Sequence, residues 1–230
     1  MNKNIQHSLI IPIFNEKKGI ENTLKDLEVF SNEDSFEVIL VDDGSTDGTA
    51  KILSNRKNIN LVKHDFNKGY GAALKTGIKN ATGSIICIAD ADGTYPLKKL
   101  FDFVDVLVKE NLDMVVGART GESVQIPLIR KPAKWFINML ANYITGEKIP
   151  DINSGLRVFR KEAFLPFIKI IPNGFSFTTT ITLGMLSGKY KIKFIPINYF
   201  FRLGKSKIKP IRDTLNFIKL ILRIGLYFAP

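Results

Sequence analysis

SIICIADADGTYP, residues Ser84 to Pro96, is the stretch on which the reading of the fold turns. Its five-residue apolar run, Ile85 to Ala89, suits a buried parallel strand, and it ends abruptly in two carboxylates one residue apart, Asp90 and Asp92, followed by Gly93. In open parallel sheets ligands sit beyond the carboxyl ends of the strands, so chemistry is expected at that end. Two anions this close repel unless a cation or a donor network offsets them. A divalent metal held by one or two carboxylates, with water and substrate phosphate oxygens completing its sphere, is the economical compensation. The plain alternative is a surface turn carrying two solvated aspartates.

Working outward, the same pattern recurs upstream. A strand over Ser8 to Ile13 runs into Phe14-Asn15-Glu16, and Asn15 is placed to cap a helix over Lys17 to Phe30, where Ile20, Leu24 and Leu27 have helical spacing. A second apolar strand, Phe36 to Val41, runs into Asp42-Asp43-Gly44-Ser45-Thr46-Asp47, with Ser45 or Asp47 placed to cap a short helix over Gly48 to Ser54. Asn60 to Lys63 is a third, weaker strand, and Gly69-Tyr70-Gly71 opens a helix through Ala81 whose small residues permit close packing. The third glycine of a dinucleotide loop is missing there, so helix packing is its reading.

Downstream, Pro96 stands near the start of a helix to about Glu110, and Met114 to Ala118 is a fifth strand ending at Arg119. Strands alternating with helices predict a right-handed, mostly parallel α/β sheet. Three of its strands end in acids, and acids on one edge of one sheet describe a site.

The second half differs in character. Ile126 to Ile144 mixes Trp135, Phe136, Met139, Leu140 and Tyr143 with Arg130, Lys131 and Lys134, an amphipathic basic segment that suits either a docked helix or lipid headgroups. Asp151 to Arg157 is a polar loop feeding a short strand over Arg157 to Phe159. A helix follows from Phe175 to Leu186, then a strand over Ile192 to Phe201 and a basic loop, Arg202 to Lys207, of a kind that closes over a pyrophosphate. The pattern over Ile211 to Tyr227 is helical, with Arg212, Asn216, Lys219 and Arg223 on one stripe. It reads as an interfacial helix with Phe217, Leu220, Ile221 and Phe228 among acyl chains, or as a helix packed on the domain or on another subunit.

Composition sets bounds on these readings. The 230 residues are 45% hydrophobic and 24% charged, an ordinary globular balance for one domain with or without a C-terminal appendage. The formal charge is +11, and Ser187 to Pro230 carries seven Lys and three Arg against Asp213 alone, +9 of the total. Nucleic acid, an anionic bilayer or a phosphate-bearing substrate each answers such a block. Cys87, the single cysteine, lies in the apolar run and reads as a small core residue in a reducing compartment. No uninterrupted apolar run reaches the roughly eighteen residues of a membrane span.

Six motifs in order, Pro12 to Glu16 (PIFNE), Val41 to Thr46 (VDDGST), Asn67 to Ala72 (NKGYGA), Asp90 to Pro96 (DADGTYP), Asp151 to Arg157 (DINSGLR) and Gly204 to Ile208 (GKSKI), make the chain resemble the GT-A family 2 glycosyltransferases. The branch it is similar to is that of the dolichyl-phosphate mannose synthase-like and polyprenyl-phosphate sugar transferases. The resemblance implies a Rossmann-like, mostly parallel sheet flanked by helices over residues 1–209. A nucleotide-sugar half spans about 1–120, an acceptor half about 121–209, and an amphipathic membrane-interface helix covers 210–230. It also implies a UDP- or GDP-sugar donor, Mg²⁺ or Mn²⁺, a polyprenyl phosphate acceptor, no nucleic acid, and a peripheral location at the cytoplasmic face of the membrane. A membrane-spanning partner or a homo-oligomer is compatible with it.

Carried over by motif, Pro12, Phe14 and Glu16 line the base and ribose, with Phe14 standing where the family often has tyrosine. Asp42 reads the base, Asp90 with Ala91 lies near ribose and diphosphate, and Asp92, with Asp90 beside it, holds the metal. Thr94 occupies the place of a metal-coordinating glutamine in some relatives. Arg202 and Lys207 grip the donor diphosphate, making Asp90, Asp92 and Arg202 the implied catalytic set. Arg119, Arg130 and Lys134 receive the acceptor phosphate.

A phosphate monoester, with a second pKa of about 6, arrives mostly dianionic at neutral pH. The implied inverting displacement therefore needs no general base, and positioning carries much of the rate. A hydroxyl acceptor in polysaccharide or glycolipid synthesis, the main rival, needs such a base, and the second half offers no Glu-Asp pair for it. A nucleotidyltransferase lacks its glycine-rich, arginine-containing N-terminal loop here. A nucleic-acid-binding module explains the charge but not three acidic strand ends.

Overall fold

A computed structural model describes residues 5–55, 60–122, 139, 141–143, 145–200, 218 and 220. Its centre is a seven-stranded sheet of β1 (His7–Ile13), β2 (Phe36–Asp42), β3 (Asn60–Lys63), β4 (Ile85–Ile88), β5 (Met114–Ala118), β6 (Arg157–Arg160) and β7 (Ile192–Pro196), in the order β3-β2-β1-β4-β6-β5-β7. The β3-β2-β1-β4 pairings and β5-β7 are parallel, and β6 runs antiparallel between β4 and β5. The sheet is thus mixed, and parallel in four of its six pairings.

Period-two alternation sorts the strand residues into two cores. On one face Leu9, Ile11, Leu40, Cys87, Val115 and Val158 meet helices α1 (Ile20–Ser31) and α4 (Lys99–Lys109) through Ile20, Leu27, Phe30, Leu100, Phe103 and Leu107. The short α2 (Thr49–Ser54) adds Leu53 to that face. On the other, Ile10, Ile39, Val41, Ile86, Ile88, Val116 and Phe159 meet α3 (Tyr70–Asn80), α5 (Lys161–Phe164) and α6 (Phe177–Ser187) through Leu74, Ile78, Phe164, Phe177 and Ile181. Cys87 is wholly enclosed, and burial pushes its thiol pKa up, as suits an inert core residue.

Helix α6 is buried on every side despite four threonines. Thr180 and Thr182 each return their hydroxyl to the carbonyl four residues back, and Thr179 donates to Asn153 Oδ1, so these three hydroxyls are satisfied within the protein.

Several boundaries differ from those the sequence suggests. Asn15 does not cap α1, which begins at Ile20 behind Gly19 with no side-chain cap. Asn15 has a φ of 52°, and its Oδ1 accepts instead from the Thr46 and Asp47 backbone N–H groups, pinning the loop after β2. Asp47 does brace the start of α2, accepting the Thr49 N–H and hydroxyl. Strand β7 stops at Pro196 rather than Phe201, level with Ala118, the last residue of its partner β5.

Of the amphipathic segment over 126–144, only Met139 and residues 141–143 are described, and all are helical. Of the expected C-terminal helix, only Ile218 and Leu220 are described, both helical. Leu220 is half-buried and packs against the cluster of Ala141, Ile149, Ile152 and Leu183. Among the described residues no helix is long and apolar enough to cross a membrane.

Candidate functional site

The chain runs β1 to β2 to β3 toward one side of the sheet and then returns to place β4 on the other side of β1. The order therefore reverses between β1 and β4, the position at which open α/β sheets form a ligand crevice. Because β2, β1 and β4 are parallel neighbours, Asp42, Glu16 and the Asp90–Asp92 turn all emerge at one edge.

Each acid there is held by short polar contacts. Asp42 is buried and accepts the Ser45 N–H on Oδ1 at 3.1 Å. Glu16 is buried too, and its backbone N–H reaches the Thr49 hydroxyl at 3.0 Å. Pro12 is enclosed within β1 opposite Val41, and Phe14 is half-buried beyond it. Ala91 is buried, with its carbonyl accepting the Thr23 hydroxyl at 2.9 Å. Asp92 is 4% exposed, and its Oδ1 accepts both the Thr94 N–H at 3.2 Å and the Thr94 hydroxyl at 2.6 Å. Thr94 thus orients the Asp92 carboxylate. Asp90 accepts the Tyr70 hydroxyl on Oδ1 at 2.9 Å.

Burial and the neighbouring Asp90 charge raise the Tyr70 phenol well above its ordinary pKa, so it is a fixed donor. Burial likewise raises Tyr95, whose oxygen accepts the Gly155 N–H at 2.8 Å, and Tyr199, whose ring meets the Tyr95 ring edge-on at 5.2 Å.

Asp43, adjacent to Asp42 in sequence, has a different task. Its Oδ1 takes the Lys68 N–H at 2.9 Å and the His64 ring at 2.6 Å, while Oδ2 takes the Gly69 N–H at 2.8 Å. His64 is steadied in turn by the Thr76 hydroxyl at 2.9 Å. This clamp fixes the loop that leads into α3.

The loop before β6 comes to the same edge. Arg119, at the end of β5, makes a forked pair with Asp151, Nε to Oδ2 at 2.6 Å and Nη2 to Oδ1 at 2.9 Å, and stacks over Tyr199 at 5.2 Å. Burial opposes the Arg119 charge, but the Asp151 carboxylate outweighs it and holds the guanidinium pKa well above its usual range. Arg157 is wholly buried, donates to the Ser154 and Thr178 carbonyls and the Thr182 hydroxyl, and is lowered by burial to a pKa of about 10.

Of the residues singled out from sequence, Pro12, Phe14, Glu16, Asp42, Asp90, Ala91 and Asp92 line this edge. Arg119 stands at the neighbouring end of β5, two of its nitrogens committed to Asp151. Arg130, Lys134, Arg202 and Lys207 lie outside the described residues. Sequence reasoning passed over Asp43, His64, Tyr95, Tyr199 and the fork on Asp151, and read Tyr70 as a helix-packing residue. Their only signal was membership of, or nearness to, the quoted motifs.

Hard carboxylate oxygens at a cleft edge are the donor type that Mg²⁺ and Mn²⁺ accept, with substrate oxygens completing the sphere. No group of three or more His, Cys, Asp or Glu suited to a metal ion occurs among the described residues.

Residues 8–165 match the Glycosyl transferase family 2 sequence model. The UDP-N-acetylglucosamine--dolichyl-phosphate N-acetylglucosaminyltransferase of Methanococcus voltae is 32% identical over 177 residues, covering 67% of this chain and 69% of that protein. The dolichyl-phosphate hexose transferase of Haloferax volcanii is 27% identical over 220 residues, covering 95% and 93%. Against other curated relatives the chain spans a smaller share of the relative's length, 65% in one and 48% in another. Among solved structures, glucosyl-3-phosphoglycerate synthase from Mycobacterium tuberculosis in complex with Mn²⁺, UDP and phosphoglyceric acid superposes with a TM-score of 0.77 at 18% identity, covering 96% of this chain and 78% of that one. That likeness establishes the α/β GT-A fold.

Proposed function

The chain belongs to glycosyl transferase family 2, and from that premise we propose that it moves a sugar from a nucleoside diphosphate sugar to a polyprenyl phosphate, with inversion at the anomeric carbon. The observation that carries the proposal is the meeting of three acidic strand ends, Glu16, Asp42 and Asp90–Asp92, at the β1/β4 switch point. The phosphate acceptor is supported by relatives whose names specify dolichyl phosphate.

In this reading Asp42 meets the base, and Phe14 and Glu16 flank base and ribose. Asp90 faces ribose and diphosphate. Asp92, oriented by Thr94, holds Mg²⁺ or Mn²⁺ together with Asp90. The metal, when bound, offsets negative charge on the diphosphate. The bond from the anomeric carbon to the diphosphate oxygen breaks and its electron pair leaves with the nucleotide. A polyprenyl phosphate oxygen forms the new bond from the opposite side, and being already ionised it passes no proton to the protein.

Arg202 and Lys207 are assigned to the leaving diphosphate, and Arg130 and Lys134 to the acceptor phosphate, where they draw one anion up to another. Arg119 is assigned to the acceptor phosphate with them, and its fork on Asp151 gives it the second task of fixing the loop before β6. Residues 210–230 are assigned to the membrane interface and the protein to the cytoplasmic face, where a polyprenyl phosphate headgroup is presented.

The test is incubation with a panel of UDP- and GDP-sugars, Mn²⁺ and a short polyprenyl phosphate. Transfer from one donor, lost on chelation and in Asp92→Ala while that variant stays folded, is the expected result. Full turnover in Asp92→Ala removes the metal assignment. Transfer to a hydroxyl acceptor but not to lipid phosphate removes the acceptor assignment.

A further inference from the structure

The Gly69-Tyr70-Gly71 triplet has a sharper explanation than helix packing. A Cβ on Gly69 would stand 2.5 Å from the Asn173 carbonyl oxygen, and one on Gly71 would collide with the Pro172 carbonyl. Gly69 also has a φ of 103°, a conformation side chains rarely adopt. The two glycines therefore let the first turn of α3 seat against the 172–174 loop, where the Ala72 N–H bonds the Asn173 carbonyl at 3.0 Å.

Tyr70, between them, is the side chain this seating delivers to the site. Its ring stacks on Phe175 at 5.7 Å, and its hydroxyl reaches Asp90. At the same carboxylate, the Gly155 backbone lies so close that an added Cβ would be 2.7 Å from Oδ2 and 2.9 Å from Oδ1. Asp90 is thus closely approached by the Gly155 backbone and bonded at Oδ1 by the Tyr70 hydroxyl.

We propose that Tyr70 is a positioning residue of the donor site, its hydroxyl holding the Asp90 carboxylate in the orientation that meets the ribose and diphosphate of a nucleoside diphosphate sugar. The inference rests on the donor-site reading of Asp90. It makes the clamp of Asp43 on Lys68 and Gly69 part of the same device, since that clamp sets where Tyr70 begins.

A double-mutant cycle tests it, with Tyr70→Phe, Asp90→Asn and the pair, reading the affinity for UDP and GDP in Mn²⁺ by calorimetry, and kcat and KM for the donor. Tyr70→Phe keeps the ring on Phe175 and should stay folded. It should weaken binding of the nucleotide that the wild type prefers by about tenfold, the scale of one hydrogen bond to a charged group. In the Asp90→Asn background the same change should have no further effect, because the group it acts through is already altered. Phe175→Leu, which keeps the hydroxyl and loosens its ring, should give a smaller loss that also vanishes with Asp90→Asn.

Full additivity of Tyr70→Phe with Asp90→Asn, or wild-type affinity and turnover in Tyr70→Phe, overturns the role of Tyr70 and leaves the donor site standing. A wild type that binds neither nucleotide overturns both.

Discussion

Replacing Gly155 by alanine isolates how tightly Asp90 is held. No left-handed backbone is involved at Gly155, so alanine is conformationally allowed and the only cost is contact. The new Cβ would lie 2.7 Å from Asp90 Oδ2, 2.9 Å from Oδ1 and 3.0 Å from Cγ. Ordinary contact begins near 3.4 Å, so the carboxylate must yield by about 0.7 Å at Oδ2. It has little freedom to do so, because Oδ1 is already at 2.9 Å from the Tyr70 hydroxyl. Overpacking of this kind costs about 1–3 kcal/mol, which in a chain of this size lowers Tm by roughly 2–4 °C per kcal/mol.

The larger effect should be on turnover, since a displacement approaching 1 Å at a positioned group costs about a hundredfold. Gly146→Ala is the matched control: its φ of 69° strains an alanine, but nothing described lies within 4 Å of the new Cβ. It should lose a similar 1–2 kcal/mol and keep its kcat. Turnover of the donor with polyprenyl phosphate and a thermal melt on both variants suffice. Wild-type turnover in Gly155→Ala would refute the claim that Asp90 must sit where it does.

Two further outcomes follow from the contacts around the site and a third from the opposite end of β1. Asp43→Asn puts an amide donor where a carboxylate oxygen now accepts an N–H, so about 1–3 kcal/mol should be lost and amide exchange at Lys68 and Gly69 should quicken; unchanged exchange would show that the clamp does not hold the loop. Arg157→Met strips the Ser154 carbonyl of both its donors and should lower Tm by the equivalent of about 1–3 kcal/mol, whereas an unaltered Tm would mean the loop before β6 is held by its other contacts.

His7 is buried against Phe36 at 4.8 Å, and burial lowers its pKa below the ordinary 6.5. The unfolded chain then takes up a proton before the folded one does, so stability contributed above pH 6.5 is lost as pH falls through the depressed folded value. The Tm of His7→Phe should therefore gain on that of the wild type between pH 7.5 and 5.5, and a constant difference would contradict the linkage.

What the sequence made legible was whatever periodicity and strand-end chemistry encode. The apolar runs of β1, β2, β4 and β5 sit within a residue or two of their observed ends, because strands buried on both faces leave no polar alternation to misread. The acids after β1, β2 and β4 were visible as acids, and their common edge followed from parallel pairing. The distinction between Asp42 and Asp43 was not visible. Adjacent carboxylates point to opposite sides of a strand, and only the return of the loop at Lys68 and Gly69 shows which one is structural. Tyr70 was equally hidden, since its bond to Asp90 depends on α3 crossing from β3 back past β1. Asn15 misled for a local reason: its side chain serves a loop thirty-one residues away instead of its own helix.

The antiparallel strand explains why a motif from the second half reaches the donor acids at all. In β6 the register pairs Arg157 with Ile88 on one side and Val116 on the other. Residues that precede Arg157 therefore lie beside those that follow Ile88 and Val116, which puts Gly155 on Asp90 and Asp151 on Arg119. Had β6 run parallel, its leading loop would have opened at the far edge of the sheet, and only its trailing end would have met the acids. One reversal of direction thus brings the Asp151–Arg157 loop against the carboxylate that Tyr70 holds. The buried Arg157 then ties that loop to α6 through Thr178 and Thr182.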